Sequence, residues 1–247
     1  QRLLRSFAMI KKPQIKGILF DLDGTLIDSA PDLHVAANKL LNEENRQTIT
    51  LEQTIKMIGD GVPKIVERAF AATGYNIMEE VELDGFVKRY LAFYEPNSAN
   101  LTTPFPGVVE CLRRLSLKKY KMAVCTNKPF IATQKILTKL GLLDFFSAII
   151  GGDTLPEIKK PNPGHLLAAL KIMNISPRNA VMIGDHANDV NAARASQLPV
   201  IICRFGYTNG PAENLKGDLV IDHFNELPHV FSNLTMPNNQ KSPTLVI

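Results

Sequence analysis

Short apolar runs recur along the chain and predict buried strands. They cover residues 15–20, 120–125, 147–150, 180–183 and 199–203. These runs are too continuous for strands that expose one face to water, and amphipathic segments alternate with them. The pattern predicts an α/β fold in which a doubly wound, parallel, Rossmann-like sheet carries helices on both faces.

The segments between the runs place apolar residues at helical spacing. A first helix is predicted from the i, i+3, i+4, i+7, i+8 pattern of Leu33, Ala36, Ala37, Leu40 and Leu41. Ser29 and Asp32, three residues apart at the start of this helix, have the spacing of a capping box. Similar patterns begin at Val62 and Leu83, and Pro129 opens another helix.

The distance between the first two strands exceeds what one crossover needs. The first run ends at Phe20 and the second begins near Tyr120, whereas a βαβ unit takes about 30 residues. A helix at 107–117 suffices as the crossover. The surplus residues, 29–97, are therefore predicted to form an inserted helical cap domain above the first strand. The α/β core then takes residues 14–28 and 98–232, between a leader at 1–13 and a flexible tail at 233–247.

Charge and composition exclude several classes of partner. The net charge is +4, but four bases and no acid lie within residues 1–12, so the rest of the chain is neutral and no nucleic-acid partner is expected. The apolar runs are shorter than the ~20 residues that cross a bilayer, so no membrane partner is expected. The three cysteines form no CxxC pair, which fits a reducing cytoplasm. We expect a cytoplasmic monomer or homodimer.

Two carboxylates directly follow the first predicted strand. Asp21 and Asp23 are two residues apart, and Gly24 permits a tight turn there. Ligands of open α/β sheets bind beyond the carboxyl ends of the strands. One carboxylate could attack phosphorus as a nucleophile, and the other could protonate the leaving alcohol and then deprotonate water. The structural alternative is a polar turn between strand and helix.

Polar residues also follow the next two strands. The Thr126 hydroxyl and N–H groups near Asn127 could hold a phosphate oxygen, although a helix N-cap is an alternative use of this segment. Lys160 lies in a Pro-rich loop, where a lone lysine is commonly solvated. These residues predict a phosphate site only in combination with the two carboxylates.

The fourth strand is followed by two more acids. Asp185 could bind a hard cation, and Asp189 falls in the first helical turn, where the helix dipole favours an acid in any case. A phosphomonoester beside ionised Asp21 and Asp185 carries about −4 charge, which Mg²⁺ and Lys160 would offset with about +3. The charge balance predicts Mg²⁺ as the cofactor.

Four segments resemble the motifs of the haloacid dehalogenase superfamily, in its phosphatase branch. They are FDLDGTL (20–26), VCTNK (124–128), KKPNP (159–163) and IGDHAND (183–189). The resemblance covers about residues 15–232, and residues 29–97 match the helical cap of the family. It implies that Asp21 is the nucleophile and Asp23 the general acid/base. Phosphate would be bound by Thr126, Lys160 and backbone groups near Leu22 and Asn127. Mg²⁺ would bind Asp21, Asp185 and the Asp23 carbonyl, and Asp189 would support the metal or the lysine.

One residue departs from the family pattern. His186 stands where the family usually has Ser or Thr, and it is interpreted as an exposed loop histidine; the alternative is that it gives the rate an additional pH dependence near neutrality. It is not among the implied metal ligands, so the departure leaves the predicted Mg²⁺ site intact.

The cap carries the substrate prediction. Within the superfamily, the segments LIDSAPDL, IGDGVPKIVERA and GGDTLPEIKKPNP resemble bacterial phosphoglycolate phosphatases. Gly61 precedes a cap helix whose N-terminus would attract anions, and Lys64 and Arg68 share one face of that helix. If that face looks down on Asp21, it could bind the carboxylate of 2-phosphoglycolate. Alternatively, these cations are solvated or pair with neighbours such as Glu67.

The predicted function is hydrolysis of a small phosphate ester through an aspartyl-phosphate, with 2-phosphoglycolate as the favoured substrate. The alternatives are a phosphatase of another small ester, such as a sugar phosphate, and a hexose-phosphate mutase of the same superfamily. A dehalogenase has no use for an acid at Asp23, and a non-catalytic binding protein could dispense with Asp21 or Lys160.

Overall fold

The computed structural model describes residues 14–77 and 79–233. The predicted leader and residues 234–247 of the predicted tail lie outside the described residues.

The strands of the described chain form one large and one small sheet. In chain order they are β1 (Gly17–Phe20), β2 (Ile27–Asp28), β3 (Thr103–Pro104), β4 (Lys121–Cys125), β5 (Ala148–Ile150), β6 (Ala180–Gly184), β7 (Val200–Cys203) and β8 (Leu219–Ile221). Six of them pair in parallel in the order β5-β4-β1-β6-β7-β8, while β2 and β3 form an antiparallel pair. The predicted α/β fold with a parallel sheet is therefore confirmed.

The helices of the described chain alternate with the strands of the large sheet. They are α1 (Ala30–Glu43), α2 (Leu51–Ile55), α3 (Val62–Ala72), α4 (Glu80–Tyr94), α5 (Val108–Leu117), α6 (Phe130–Lys139), α7 (Pro163–Met173), α8 (Ala187–Ala195) and α9 (Leu227–Asn233). Short 3-10 turns lie at Glu95–Asn97, Leu143–Phe145, Pro177–Asn179, Ala212–Leu215 and Phe224–Glu226.

The central strand β1 shows why the apolar runs form buried strands. Its residues alternate between the two faces of the sheet. Ile18 and Phe20 join a core cluster that includes residues of α5, α6 and α9, whereas Leu19 joins a second cluster with residues of α7 and α8. Both faces of the sheet are covered, so every residue of this strand is apolar or glycine and buried.

The register of the sheet brings three strand ends together. Phe20 of β1 pairs with Val124 of β4 on one side and with Ile183 of β6 on the other. Polar residues that follow these strands must therefore meet at one edge of the sheet, above its centre.

Helices α1 to α4 form an apolar cluster of their own. Leu33, Phe70, Tyr90 and Tyr94 are fully buried in it, and Tyr207 is the buried member that comes from outside residues 29–97. The antiparallel pair of β2 and β3 lies at the two points where the chain enters and leaves this helical segment.

The predicted capping box at the start of α1 is wrong. Ser29 makes no side-chain cap, because its Oγ donates to Asp23 Oδ1 at 2.5 Å. The Asp32 carboxylate accepts from the N–H groups of Leu101 and Thr102 and from the Thr102 hydroxyl. The returning chain thus takes the oxygens that a local cap would have used.

Tyr207 supplies the cap instead. Its hydroxyl oxygen accepts from the backbone N–H of Ser29 at 2.7 Å and of Ala30 at 2.9 Å, and the hydroxyl donates to Asp28 Oδ1 at 2.6 Å. A side chain 178 residues away in the sequence therefore anchors the first helix of the helical segment.

We expect Tyr207→Phe to lower the free energy of unfolding by about 1–3 kcal/mol. The substitution leaves buried helix N–H groups without an acceptor and Asp28 without a donor. Urea denaturation would measure the loss, with Tyr120→Phe as the control because Tyr120 is only partly buried and its hydroxyl makes no hydrogen bond among the described residues. Equal stability of the two variants would contradict the role of the Tyr207 hydroxyl.

Candidate active site

The carboxyl ends of β1, β4 and β6 carry the polar residues of the site. Asp21 follows β1, Thr126 follows β4 and Asp185 follows β6. Backbone hydrogen bonds extend the sheet to these positions: Asp21 N–H donates to Ile183 O, and Thr126 N–H donates to Ile150 O, both at 2.9 Å. The backbone at the start of the site is therefore positioned by the sheet itself.

The Lys160 ammonium forms ion pairs with two carboxylates at this edge of the sheet. Its Nζ lies 2.7 Å from Asp21 Oδ1 and 2.6 Å from Asp189 Oδ1, and its side chain is 2% exposed. Burial alone would lower the pKa of Lys160, but the carboxylates of Asp189 and Asp21 outweigh it and raise that pKa. The ammonium thus stays charged in the interior.

The charge state of Asp21 reflects opposing effects. Burial raises the pKa of Asp21 to about 7, although the Lys160 ammonium acts in the opposite direction. Burial also raises the pKa of Asp185 well above its ordinary value, and the nearby Asp21 adds to the effect. If fully ionised, the three carboxylates would carry more negative charge than one lysine offsets, which is consistent with the raised pKa values of Asp21 and Asp185.

Asp189 holds the loop that precedes α8. Its Oδ2 accepts from the N–H groups of Asp185 at 3.1 Å and His186 at 2.9 Å, while its Oδ1 contacts Lys160. A Cβ at Gly184 would lie 2.3 Å from this carboxyl group, so the close approach requires glycine. One oxygen of Asp189 thus contacts the lysine, and the other accepts from the loop.

Asp185 is held in place by two donors. The Thr25 hydroxyl donates to Oδ1 and the Tyr207 N–H donates to Oδ2, each at 2.7 Å. Gly24 has a φ of +84°, and a Cβ there would lie 2.3 Å from Oδ2 of Asp185. The tight turn expected at Gly24 thus brings the backbone against this carboxylate.

The donor set fits a hard divalent cation. Asp21, Asp185 and Asp189 can each place one oxygen within 4.8 Å of the others. Asp21 and Asp185, the two carboxylates that the sequence predicted as metal ligands, both belong to this cluster, and Mg²⁺ prefers such oxygen ligands. A divalent cation would offset the negative charge of these buried carboxylates when they are ionised.

Asp23 has a partner that no sequence pattern predicted. The Nζ of Lys128 lies 2.9 Å from both carboxylate oxygens of Asp23, and the Lys128 side chain is 4% exposed. Ser29 Oγ also donates to Asp23. The one signal in the sequence was that Lys128 ends the segment VCTNK directly after a buried strand.

The predicted catalytic carboxylates face one cavity. Its volume is about 30 Å³, and it is lined by residues from the strand ends, the helices and the loop before α3, which are Asp21, Asp23, Leu33, Ile58, Gly59, Gly61, Val62, Ile65, Thr126, Asn127 and Lys128. A wider and more open hollow of about 520 Å³ runs along the outer face of α1 and contains none of the motif residues. We regard the smaller cavity as the site because the reactive groups line it.

The cavity also has hydrogen-bond groups for phosphate oxygens. Thr126 Oγ1 accepts from Lys128 N–H at 3.1 Å, so its own proton remains for a ligand. The Leu22 side chain is buried in the core, which leaves its backbone N–H as the group that can reach a ligand. Within the described residues, the N–H groups of Leu22 and Asn127 donate no hydrogen bond.

The loop before α3 is tied to the core at Gly59. Its carbonyl accepts from Asn127 Nδ2 at 3.1 Å and from Asn188 Nδ2 at 3.2 Å. Asn127 Nδ2 also donates to Lys160 O, so its amide links the loops and is not free to contact phosphate. The Asn127 Oδ1 is buried without a partner in the described part of the chain.

His186 is half-buried, so its interpretation as an exposed loop residue is wrong. It is the N-cap of α8, with Nδ1 accepting from Asn188 N–H at 3.2 Å. A Cβ at Gly59 would lie 2.6 Å from the imidazole ring. The histidine packs against the loop before α3, which a sequence pattern could not reveal.

The expectation that Lys64 and Arg68 face Asp21 is also wrong. The Nζ of Lys64 pairs with Glu67 at 2.6 Å, and Arg68 pairs with Asp60 at 2.5 Å and donates to Met57 O. Neither side chain lines the cavity. The side of α3 that lines the cavity is apolar and consists of Val62 and Ile65. Lys64 and Arg68 therefore lie on other sides of the helix.

Comparisons with known proteins define the class. A family model described as haloacid dehalogenase-like hydrolase matches residues 18–203. The chain therefore belongs to the haloacid dehalogenase-like hydrolases, which confirms the resemblance seen in the four motifs.

The curated relatives point to one activity within the family. The chain is 39% identical over 220 residues to a phosphoglycolate phosphatase of Cereibacter sphaeroides, covering 88% of this chain and 98% of the relative. It is 40% identical over 211 residues to a phosphoglycolate phosphatase of Caulobacter vibrioides, covering 85% and 88%. A phosphatase that hydrolyses phosphomonoesters is thus supported.

A solved structure agrees with these relatives. The crystal structure of a predicted phosphoglycolate phosphatase from Haemophilus somnus 129PT superposes with a TM-score of 0.82 at 32% identity, covering 88% of this chain and 98% of that one. None of the helices within residues 14–77 and 79–233 has the length and apolar character to cross a membrane.

Proposed function

We propose that the protein hydrolyses 2-phosphoglycolate to glycolate and phosphate through an aspartyl-phosphate on Asp21. The observation that carries the proposal is that Asp21, Asp23 and Thr126 line one cavity. The curated relatives named phosphoglycolate phosphatase support the choice of substrate.

In the first half-reaction an Asp21 carboxylate oxygen attacks phosphorus. The bond from phosphorus to the ester oxygen breaks, and Asp23 gives that oxygen its proton. Lys160, Thr126 and the free N–H groups after β1 and β4 bind the phosphoryl oxygens as charge develops on them. The product alcohol is glycolate, and the phosphoryl group is now an acyl phosphate.

In the second half-reaction water attacks the same phosphorus atom. Asp23 takes the proton from that water, the acyl-phosphate bond breaks, and Asp21 returns as a carboxylate with release of phosphate. Mg²⁺ on Asp21, Asp185 and the Asp23 carbonyl would supply positive charge that keeps Asp21 ionised and stabilises the phosphoryl oxygens.

We infer that residues 29–97 act as a cap over this chemistry and that residues 14–28 and 98–232 form the catalytic core. The separate apolar cluster of α1 to α4 supports this division. The apolar lining that Leu33, Ile58, Val62 and Ile65 add to the cavity supports a role of the cap in excluding water.

We expect kcat/KM to be highest for 2-phosphoglycolate among small phosphate esters in the presence of Mg²⁺. EDTA should reduce hydrolysis to background, and added Mg²⁺ should restore it, because the site needs the cation to balance its charge. The measurement compares 2-phosphoglycolate, glucose 1-phosphate, glucose 6-phosphate and p-nitrophenyl phosphate. A preference for a glucose phosphate, or interconversion of the two, would favour the sugar phosphatase or the mutase.

A further inference from the structure

The buried lysine beside Asp23 is not explained by phosphate binding alone. The Lys128 ammonium lies 2.9 Å from both Asp23 oxygens and 5.0 Å from the centre of the Tyr94 ring. Its side chain is 4% exposed, and it lines the cavity. Burying an ammonium is costly, so a lysine at this position needs compensating interactions.

Lys128 is the one cation in the described lining of the cavity. The Lys160 ammonium contacts Asp21 and Asp189, is assigned to the phosphoryl oxygens and does not line the cavity, and Lys64 and Arg68 pair with acids outside it. Lys159 is exposed, and its Nζ comes within 3.9 Å of the position of a Cβ at Gly61 without lining the cavity. A second negative group on a bound ester would therefore meet Lys128 first.

The arrangement along the cavity wall fits a short ester. Asp21 receives the phosphoryl group, and Asp23, two residues on, serves the ester oxygen. Lys128 contacts Asp23, so it lies where the remainder of the ester must begin. In 2-phosphoglycolate a single CH₂ separates the ester oxygen from the carboxylate. The apolar neighbours Leu33, Ile58, Val62 and Ile65 give that carboxylate no other cation, and they strengthen its attraction to an ammonium.

We propose that Lys128 binds the carboxylate of the substrate and thereby selects a two-carbon anionic ester. An ammonium has three N–H donors, so Lys128 can hold Asp23 and the ligand carboxylate at the same time. This inference rests on the proposed function. It replaces Lys64 and Arg68 of the cap with a residue of the core as the determinant of specificity.

The test compares two esters that differ only in the proposed contact. They are 2-phosphoglycolate and 2-hydroxyethyl phosphate, which has a CH₂OH group in place of the carboxylate. The quantity measured is the ratio of their kcat/KM values at saturating Mg²⁺. We expect the wild type to prefer 2-phosphoglycolate, and Lys128→Met to lower the ratio by roughly 10- to 100-fold through loss of a charged hydrogen bond.

Matched variants separate binding of the carboxylate from support of Asp23. Lys159→Met removes an exposed lysine near the cavity and should leave the ratio unchanged. Lys128→Arg keeps the charge and should retain part of the preference. Lys128→Gln can still donate a hydrogen bond to Asp23, so it replaces the Met variant in the test if that variant does not fold. It should lower the ratio of the two kcat/KM values because the charge is lost.

The outcomes distinguish this inference from the proposed function. If the wild type shows no preference for 2-phosphoglycolate, the proposed substrate is wrong whatever Lys128 does. If the wild type has the preference and the Met and Gln variants keep it, the assignment to Lys128 is overturned while the function stands. An equal loss with both esters would mean that Lys128 acts only through Asp23, which also overturns the assignment.

Discussion

Asp21→Asn is expected to abolish turnover of every phosphate ester while the protein stays folded. An amide cannot form the covalent phosphoryl intermediate, and it lacks the charge that a divalent cation needs. Loss of a catalytic nucleophile lowers kcat on the order of 10⁶-fold. The Asn side chain keeps the shape of the residue and can still accept a hydrogen bond from Lys160, which lies 2.7 Å from Asp21.

Two measurements separate loss of catalysis from loss of folding in Asp21→Asn. Steady-state hydrolysis of 2-phosphoglycolate gives kcat, and thermal unfolding shows that the variant is folded. Asp144→Asn is the control, because Asp144 is an exposed residue in the 3-10 turn that follows α6 and should retain full activity. Appreciable hydrolysis by Asp21→Asn would rule out the aspartyl-phosphate mechanism.

Asp23→Asn is expected to slow both half-reactions, by about 10²- to 10⁴-fold. Asn cannot give a proton to the leaving glycolate or take one from the attacking water, and general acid–base catalysis contributes on this scale. The substitution also leaves the buried Lys128 without its anionic partner. The loss should appear in kcat for 2-phosphoglycolate.

A second substrate separates the two roles of Asp23. p-Nitrophenolate leaves phosphorus without needing a proton, so the first half-reaction of Asp23→Asn should stay fast with p-nitrophenyl phosphate. The second half-reaction should stay slow, because water still lacks its base. Rapid mixing should therefore show a burst of about one p-nitrophenolate per enzyme. Unchanged kcat values would show that Asp23 merely shapes the turn.

The parallel sheet and the order of the chemistry along it follow from the sequence. A strand covered on both faces must be apolar at successive positions, so β1, β4, β5, β6 and β7 could be predicted from their apolar runs. The strand β8 could not, because two of its three residues, Leu219 and Val220, are only half-buried. Since polar residues at the ends of parallel strands converge, the order of the runs was enough to group Asp21, Thr126 and Asp185.

The pairing of side chains, by contrast, depends on how the helices pack. Lys64 and Arg68 share one face of α3, but the pattern of a helix does not say which neighbour that face meets. In the structure it is Val62 and Ile65 that reach the cavity. Helical periodicity describes relations within one element, whereas the orientation of the element depends on the apolar cluster it joins.

The same reason explains the contacts that spacing along the chain did not predict. Ser29 has the sequence context of a helix cap but donates to Asp23, and the cap of α1 comes from Tyr207. Lys128 lies inside a recognised motif, yet its contact with Asp23 joins residues 105 positions apart. Spacing within a segment sets the local structure, while long-range hydrogen bonds and ion pairs form only when the packing of the whole chain brings their groups together.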